Sequence, residues 1–282
     1  MNVQWYPGHM TKAVRSMQED IRLIDLIIEL LDARVPVASR NPDIDRLGQG
    51  KARLILLNKA DLAGAEENRR WAQHFKERGI ACVQLDSRRR DGMNPIKAAV
   101  REACREKKER DLRRGIKNRP VRAMVAGIPN VGKSTFINSF AGKSVARTGN
   151  RPGVTKGKQW IRLDPELELL DTPGILWPKF EDPKVGLHLA MIGSINDEIL
   201  PKEELALEIL KLLKSSWPDS IRDRYGIEEE IAGAELLEAI GRRLGCLKSG
   251  GEIDLARAAG LVIDDLRSGR LGRITIEKAG EE

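Results

Sequence analysis

The chain predicts an α/β protein in which a mostly parallel six-stranded sheet is followed by a smaller all-α domain. Three observations lead there. Six short apolar runs alternate with helical stretches over the first two-thirds of the 282 residues. One of those runs feeds a glycine-rich loop that opens directly onto a helix. Beyond Trp177-Pro178 the strand signal stops and helical periodicity takes over.

In chain order, Thr11 to Ile21 reads as a helix, with Val14 and Met17 spaced for one apolar face. Ile24 to Leu31 is the first strand and ends in Asp32-Ala33-Arg34. Pro36 and Pro42 in the following VPVASRNPD forbid a continuing element. Ala52 to Leu57 is the second strand and runs into NKAD, Asn58 to Asp61. A helix over Ala65 to Arg78 leads to the third strand, Ile80 to Leu85, and then to the loop DSRRRDGM. Pro95 to Arg114 reads as one long helix whose many Lys and Arg form a solvated face. Val121 to Ala126 is the fourth strand. Gln159 to Leu163 and Glu166 to Leu170 form a hairpin around Asp164-Pro165, and the second of them ends in DTPG, Asp171 to Gly174. Leu176 to Gly186 is a proline-bearing linker. Helices are expected near Lys202 to Leu213, Glu228 to Leu244 and Ile253 to Ser268, before a short GRITIE tail. The expected division is therefore 1–178 and 179–282.

Composition narrows the class. Hydrophobic residues at 41% and charged ones at 32% describe a folded globular chain. A formal charge of +7 favours an acidic partner, nucleic acid first. The loop from Lys143 to Lys158 contains no acid, which suits contacts to a phosphate backbone. Aromatic residues are only 4%, so folded RNA read by shape is favoured over single-strand stacking. Cys82, Cys104 and Cys246 show no metal-ligand spacing and suit a reducing compartment. The start MNVQWYPGHMTK lacks the apolar core of a signal peptide. Leu23 to Leu31 is interrupted by Asp25 and Glu29 and is too short for a bilayer. A cytoplasmic protein without a membrane partner is expected.

The chemistry gathers in three motifs. GIPNVGKS, Gly127 to Ser134, sits between strand and helix, the context that makes G-x-x-x-x-G-K-[ST] a P-loop. Asn130, Val131, Gly132, Lys133, Ser134 and Thr135 are the phosphate-binding candidates. Lys133 would reach the β- and γ-phosphates, and Ser134 would place its hydroxyl on Mg²⁺. In NKAD, Asp61 can accept from the N1–H and the exocyclic amine of guanine, which adenine cannot supply. Asn58 would fix the base and loop, Lys59 would stack over the base, and Ser87 and Arg88 complete the guanine-binding set. In DTPG, Asp171 would hold Mg²⁺ through water and the Gly174 N–H would sense the γ-phosphate. Thr155 in RPGVTKG, between P-loop and DTPG, is the natural residue to complete the Mg²⁺ shell. These motifs favour GTP and GDP over adenine nucleotides and argue against a metabolic kinase or ATPase.

The order of the motifs is unusual, because NKAD precedes the P-loop. In WYPGHM, LDARVP with SRNP, LLNKADL, GIPNVGKST, RPGVTKG and ELLDTPGILWPKF the chain resembles the circularly permuted GTPases, and among them those that assemble the large ribosomal subunit. The matching stretches cover roughly the first two-thirds of the chain. The resemblance implies a P-loop GTPase domain carrying a helical RNA- or ribosome-binding domain, with the large subunit and its rRNA as partners and a monomer away from the ribosome. It also implies that His9, in the PGH motif, serves catalysis, since Ile175 stands where many GTPases place a water-orienting Gln. Asn130 has two readings: a residue stabilising the loop turn, or, by resemblance, a ligand for K⁺ beside the phosphates. Permutation places the N-terminal segment near DTPG and attaches the helical domain to the other side of that loop. An alternative function is a GTP-dependent ribosome-binding switch in which hydrolysis is incidental. Assignment to the small subunit is opposed by the lack of an N-terminal RNA-binding barrel and of a zinc site.

Overall fold

β1 (Leu26–Asp32), the run LIIELLD, is buried at every position and lies inside the sheet. A mainly apolar run, broken by the buried Glu29 and closed by Asp32, is what a parallel strand covered by helices on both faces requires. The computed structural model describes residues 8–89, 93–117, 119–142, 159–172, 174–177, 180–227 and 231–281. Around β1 lie β2 (Ala52–Asn58), β3 (Ala81–Gln84), β4 (Val121–Gly127), β5 (Gln159–Asp164) and β6 (Leu167–Asp171). Their order is β3-β2-β1-β4-β6-β5, and all neighbours are parallel except the β5–β6 pair. The expected six strands are all present, with ends shifted by one or two residues.

The helices depart from expectation in instructive ways. α1 (Gly8–Asp20) precedes the sheet. α2 (Pro42–Leu47) is a helix where proline was expected to break one: Asn41 Oδ1 accepts from the Asp43 N–H at 2.9 Å, and Pro42 occupies the first turn, where its missing N–H costs nothing. α3 (Ala65–Glu77) agrees with expectation and buries Trp71 and Phe75. The single long helix expected from Pro95 to Arg114 is two, α4 (Met93–Ala103) and α5 (Arg105–Arg113), broken at buried Cys104. α4 buries Met93, Ile96 and Val100, whereas α5 buries nothing and is the solvated basic stretch. α6 (Lys133–Ala141) follows the glycine-rich loop.

The proline-bearing linker is also partly helix. α7 (Pro183–Met191) starts with Asp182 Oδ1 accepting from Lys184 N–H at 2.8 Å. It is followed by α8 (Lys202–Ser216), α9 (Pro218–Tyr225), α10 (Gly233–Arg243) and α11 (Leu255–Ser268). α8 is the hub, packing against α7, α9, α10 and α11. One buried cluster runs from the sheet through Ile175, Leu176 and Phe180 into Leu189, Leu205 and Ile263 of these helices. The tail forms no helix or strand, yet it returns to the first half of the chain, where the Ile276 N–H donates to the Arg34 carbonyl at 2.8 Å. No described helix is long and apolar enough to cross a membrane.

Candidate nucleotide site

β1, β2, β4 and β6 end at Asp32, Asn58, Gly127 and Asp171. Parallel pairing puts these four ends on one edge of the sheet, and open α/β sheets bind ligands outside that carboxyl edge, where strand order reverses. The chain runs outward from β1 to β3, then jumps back to β4, so the reversal falls between β1 and β4.

The loop after β4 is shaped by two glycines. Gly127 has φ 153°, and a Cβ there would meet the Leu30 carbonyl oxygen at 2.7 Å. Gly132 has φ 102°, and a Cβ would fall 2.4 Å from Asn58 Nδ2. Asn130, with φ 58°, makes the remaining left-handed turn. Lys133 then opens α6 and folds back, donating from Nζ to the Ile128 and Gly127 carbonyls at 2.8 and 3.1 Å. Burial pushes its ammonium down to about 8, against the opposing pull of Asp171. Ser134 and Thr135 are half-buried in the first turn of α6.

Asp171 closes the other side. Burial pushes its carboxyl up to about 6, with the Lys133 charge working the other way. Its Oδ1 is buried and has no hydrogen-bond partner among the described residues. A buried carboxylate oxygen left open beside a lysine is a fit for a hydrated divalent cation, and Ser134 supplies the kind of hydroxyl donor such an ion takes. Thr172 Oγ1 donates to the Val125 carbonyl at 2.7 Å and fixes the loop to β4. Gly174 passes so close that a Cβ would meet the Pro129 backbone at 2.8 Å. Ile175 donates its N–H to the Gly127 carbonyl at 3.2 Å, and its side chain is buried in the core. It neither reaches the site nor orients water.

NKAD meets this loop through Asn58, which is buried. Its Nδ2 donates to the Val131 carbonyl at 2.7 Å and faces Ser87 Oγ at 3.2 Å, while its Oδ1 accepts from the Ser87 N–H at 2.9 Å. One amide thus joins the glycine-rich loop, the end of β2 and the loop after β3. Ser139 Oγ of α6 adds a bond to the Ser87 carbonyl at 2.6 Å. Asp61 Oδ2 accepts from Arg88 Nη2 at 2.6 Å, and its buried Oδ1 has no partner among the described residues. Arg88 is held in turn by Asp86, which accepts from Nε at 2.9 Å. Lys59 takes φ 57° and sends its Nζ to Asp32 Oδ2 at 2.9 Å.

Asn58, Lys59, Asp61, Ser87, Arg88, Val131, Gly132, Lys133, Asp171 and Gly174 therefore share one edge. Asn130 Nδ2 donates to the Gly193 carbonyl after α7 at 2.8 Å. Ser194 Oγ donates to the Pro129 carbonyl at 2.9 Å. The glycine-rich loop is thereby bonded directly to the helical half of the chain. Thr155 lies outside the described residues, and of His9 only the backbone, in the first turn of α1, is described. The sequence reading missed Asp32 and Arg34, which form a buried bidentate pair with both contacts at 2.8 Å. The signal was there in LDAR: an acid and a base two apart at the end of a buried strand can neutralise each other.

A phosphate loop and a guanine loop packed together, with β2 before β4 in the chain, define a P-loop GTPase of permuted order. Comparison with known proteins agrees. Residues 122–216 match the family model described as 50S ribosome-binding GTPase. Ribosome biogenesis GTPase A of Bacillus cereus is 47% identical over 284 residues, covering 100% of this chain and 95% of that protein. Its counterpart in Thermotoga maritima is 31% identical, over 98% of this chain and 94% of the relative. The crystal structure of GNP-bound YlqF from T. maritima superposes with a TM-score of 0.67 at 27% identity, covering 96% of this chain and 100% of that one. The chain belongs to the ribosome biogenesis GTPase A family and is a GTP hydrolase.

Proposed function

We propose that this GTPase docks on the large ribosomal subunit or its precursor and promotes a late step of its assembly, hydrolysing GTP to GDP and phosphate. The observation that carries the nucleotide half is the pair of buried, unpartnered carboxylate oxygens, Asp61 Oδ1 and Asp171 Oδ1, at the base and phosphate ends of one cradle. The N1–H and exocyclic amine of a guanine edge would take one Asp61 oxygen each, displacing Arg88 from Oδ2. Mg²⁺ held by Ser134, Thr155 and Asp171 would neutralise phosphate charge; a K⁺ at Asn130 would add to it. Lys133 would leave the two loop carbonyls for the β- and γ-phosphates, and the Gly174 N–H would face the terminal phosphate. With Ile175 buried, the attacking water needs another partner, and His9 is the residue we assign to orient it.

The ribosomal half rests on the full-length similarity to proteins named for ribosome biogenesis and on the net charge of +7. The division at residue 178 gives 1–178 the nucleotide site and 179–282 the RNA contact, in the cytoplasm and as a monomer off the ribosome. The bonds from Pro129 and Asn130 to Ser194 and Gly193 are a direct route by which phosphate occupancy would shift the helical domain.

The test is the hydrolysis rate in potassium buffer, alone and with isolated large or small subunits. Stimulation by the large subunit only is expected, and His9→Ala should lose about 10²-fold or more of it while keeping GTP affinity. A rate indifferent to both subunits would leave the alternative, a switch in which hydrolysis is incidental.

A further inference from the structure

Lys59 sits in a backbone conformation, φ 57°, that side-chain-bearing residues other than Asn and Asp seldom adopt. Something must hold it there. Its ammonium ends on Asp32 Oδ2 at 2.9 Å, and Ala33, beside Asp32, donates its N–H to the Asn58 carbonyl at 2.9 Å. Asp32 is fully buried and also receives the Arg34 fork, so one carboxylate balances two cations. Although burial opposes ionisation, the charges of Arg34 and Lys59 hold the Asp32 carboxyl well below the usual carboxylate range. The position of Lys59 therefore depends on where Arg34 keeps Asp32.

Arg34 is placed by the far end of the chain. Its Nη1 donates to the Arg267 carbonyl in the last turn of α11 at 3.3 Å. Arg267 is anchored among the helices, forking onto Asp197 at 2.7 and 2.8 Å and donating to the Ala190 carbonyl at 2.8 Å. The Arg34 carbonyl accepts from Ile276 N–H at 2.8 Å and Glu277 N–H at 3.3 Å. The Glu277 carboxylate accepts from the N–H groups of Val37 and Ala38, at 2.6 and 3.1 Å, and meets His188 Nδ1 of α7 at 2.8 Å. On the far side of NKAD, Ile274 N–H donates to the Leu62 carbonyl at 3.0 Å and Gly64 N–H to Thr275 Oγ1 at 2.9 Å. Residues 274–277 thus bond to the chain both before and after the guanine loop.

We propose that the segment Ile274–Glu277 is a clamp through which the helical domain sets base affinity, with Asp32 and Arg34 as positioning residues for Lys59. This rests on the reading of NKAD as the guanine loop. With the clamp seated, Lys59 lies ready for the base; with the clamp released, the left-handed turn at Lys59 loses its support. By linkage, a bound guanine nucleotide favours the seated clamp, and a partner that pulls the helical domain away weakens nucleotide binding by the same factor.

The experiment measures GDP and pyrophosphate affinities of the full chain carrying Glu277→Ala, Glu277→Gln, Arg34→Lys or Asp61→Asn. Glu277→Ala and Arg34→Lys are expected to weaken GDP about tenfold and leave pyrophosphate within about twofold, since only the base loop is disturbed. Glu277→Gln, which keeps one acceptor oxygen, should restore part of the loss. Equal loss for both ligands would mean general destabilisation and would overturn the clamp, as would unchanged GDP affinity in Glu277→Ala and Arg34→Lys. If Asp61→Asn weakens GDP while the clamp variants do not, the clamp fails and the guanine loop stands. If Asp61→Asn has no effect, the guanine loop itself is misplaced and the clamp falls with it.

Discussion

Asp61→Asn should cost GDP and GTP affinity about 3 kcal/mol, roughly a hundredfold, because two charge-assisted hydrogen bonds to the guanine edge are replaced by one neutral bond and one clash of donors. The buried, unpartnered Oδ1 is the oxygen that waits for this edge. Folding should be nearly unaffected, since Asp61 is part-exposed and Arg88 keeps its second carboxylate on Asp86. The variant should also gain relative affinity for xanthosine nucleotides, whose C2 carbonyl accepts where the guanine amine donates. Competition binding with GDP, XDP and ADP reads all three outcomes at once. A GDP affinity unchanged by the substitution would remove Asp61 from the base pocket.

Asn58→Ala should damage both stability and binding. The substitution deletes the bond to the Val131 carbonyl and both contacts with Ser87, leaving the Ser87 N–H and the Val131 carbonyl without their side-chain partner in a buried place. A loss of about 2–4 kcal/mol is expected, or very roughly 5–15 °C in Tm for a chain of this size. Nucleotide affinity should fall further than the loss of stability alone implies, because Gly132 and Ser87 are both positioned by this amide. Asn58→Asp does not rescue: it keeps an acceptor for Ser87 but sets a carboxylate against the Val131 carbonyl. Thermal melts with and without GDP separate the two effects.

Much of this site was legible in the sequence because its parts are local. The glycine spacing of the P-loop, the four residues of NKAD and the four of DTPG each carry their chemistry within one turn. Apolar strands lead into them, and parallel pairing brings them to one edge. Proline was less legible. Pro42 and Pro183 each sit at the start of a helix, whereas residue by residue they read as interruptions. The split of α4 from α5 at Cys104 was hidden because neither glycine nor proline marks it. Least legible were the long-range partners. Nothing near Glu277 announces that its carboxylate caps Val37 and Ala38, and nothing near Asn130 announces Gly193. Arg34 and Asp32 could have been paired from spacing, but their tie to Arg267 spans 233 positions and is a property of the packed fold.

The most direct measurement is a calorimetric titration of the unaltered chain with GDP and with ADP in the presence of Mg²⁺. The site described here predicts tight GDP binding and at least a hundredfold weaker ADP binding, a preference set by the edge that Asp61 reads. Comparable affinity for the two bases would contradict it, leaving Asn58 and the P-loop as a phosphate cradle that does not distinguish guanine.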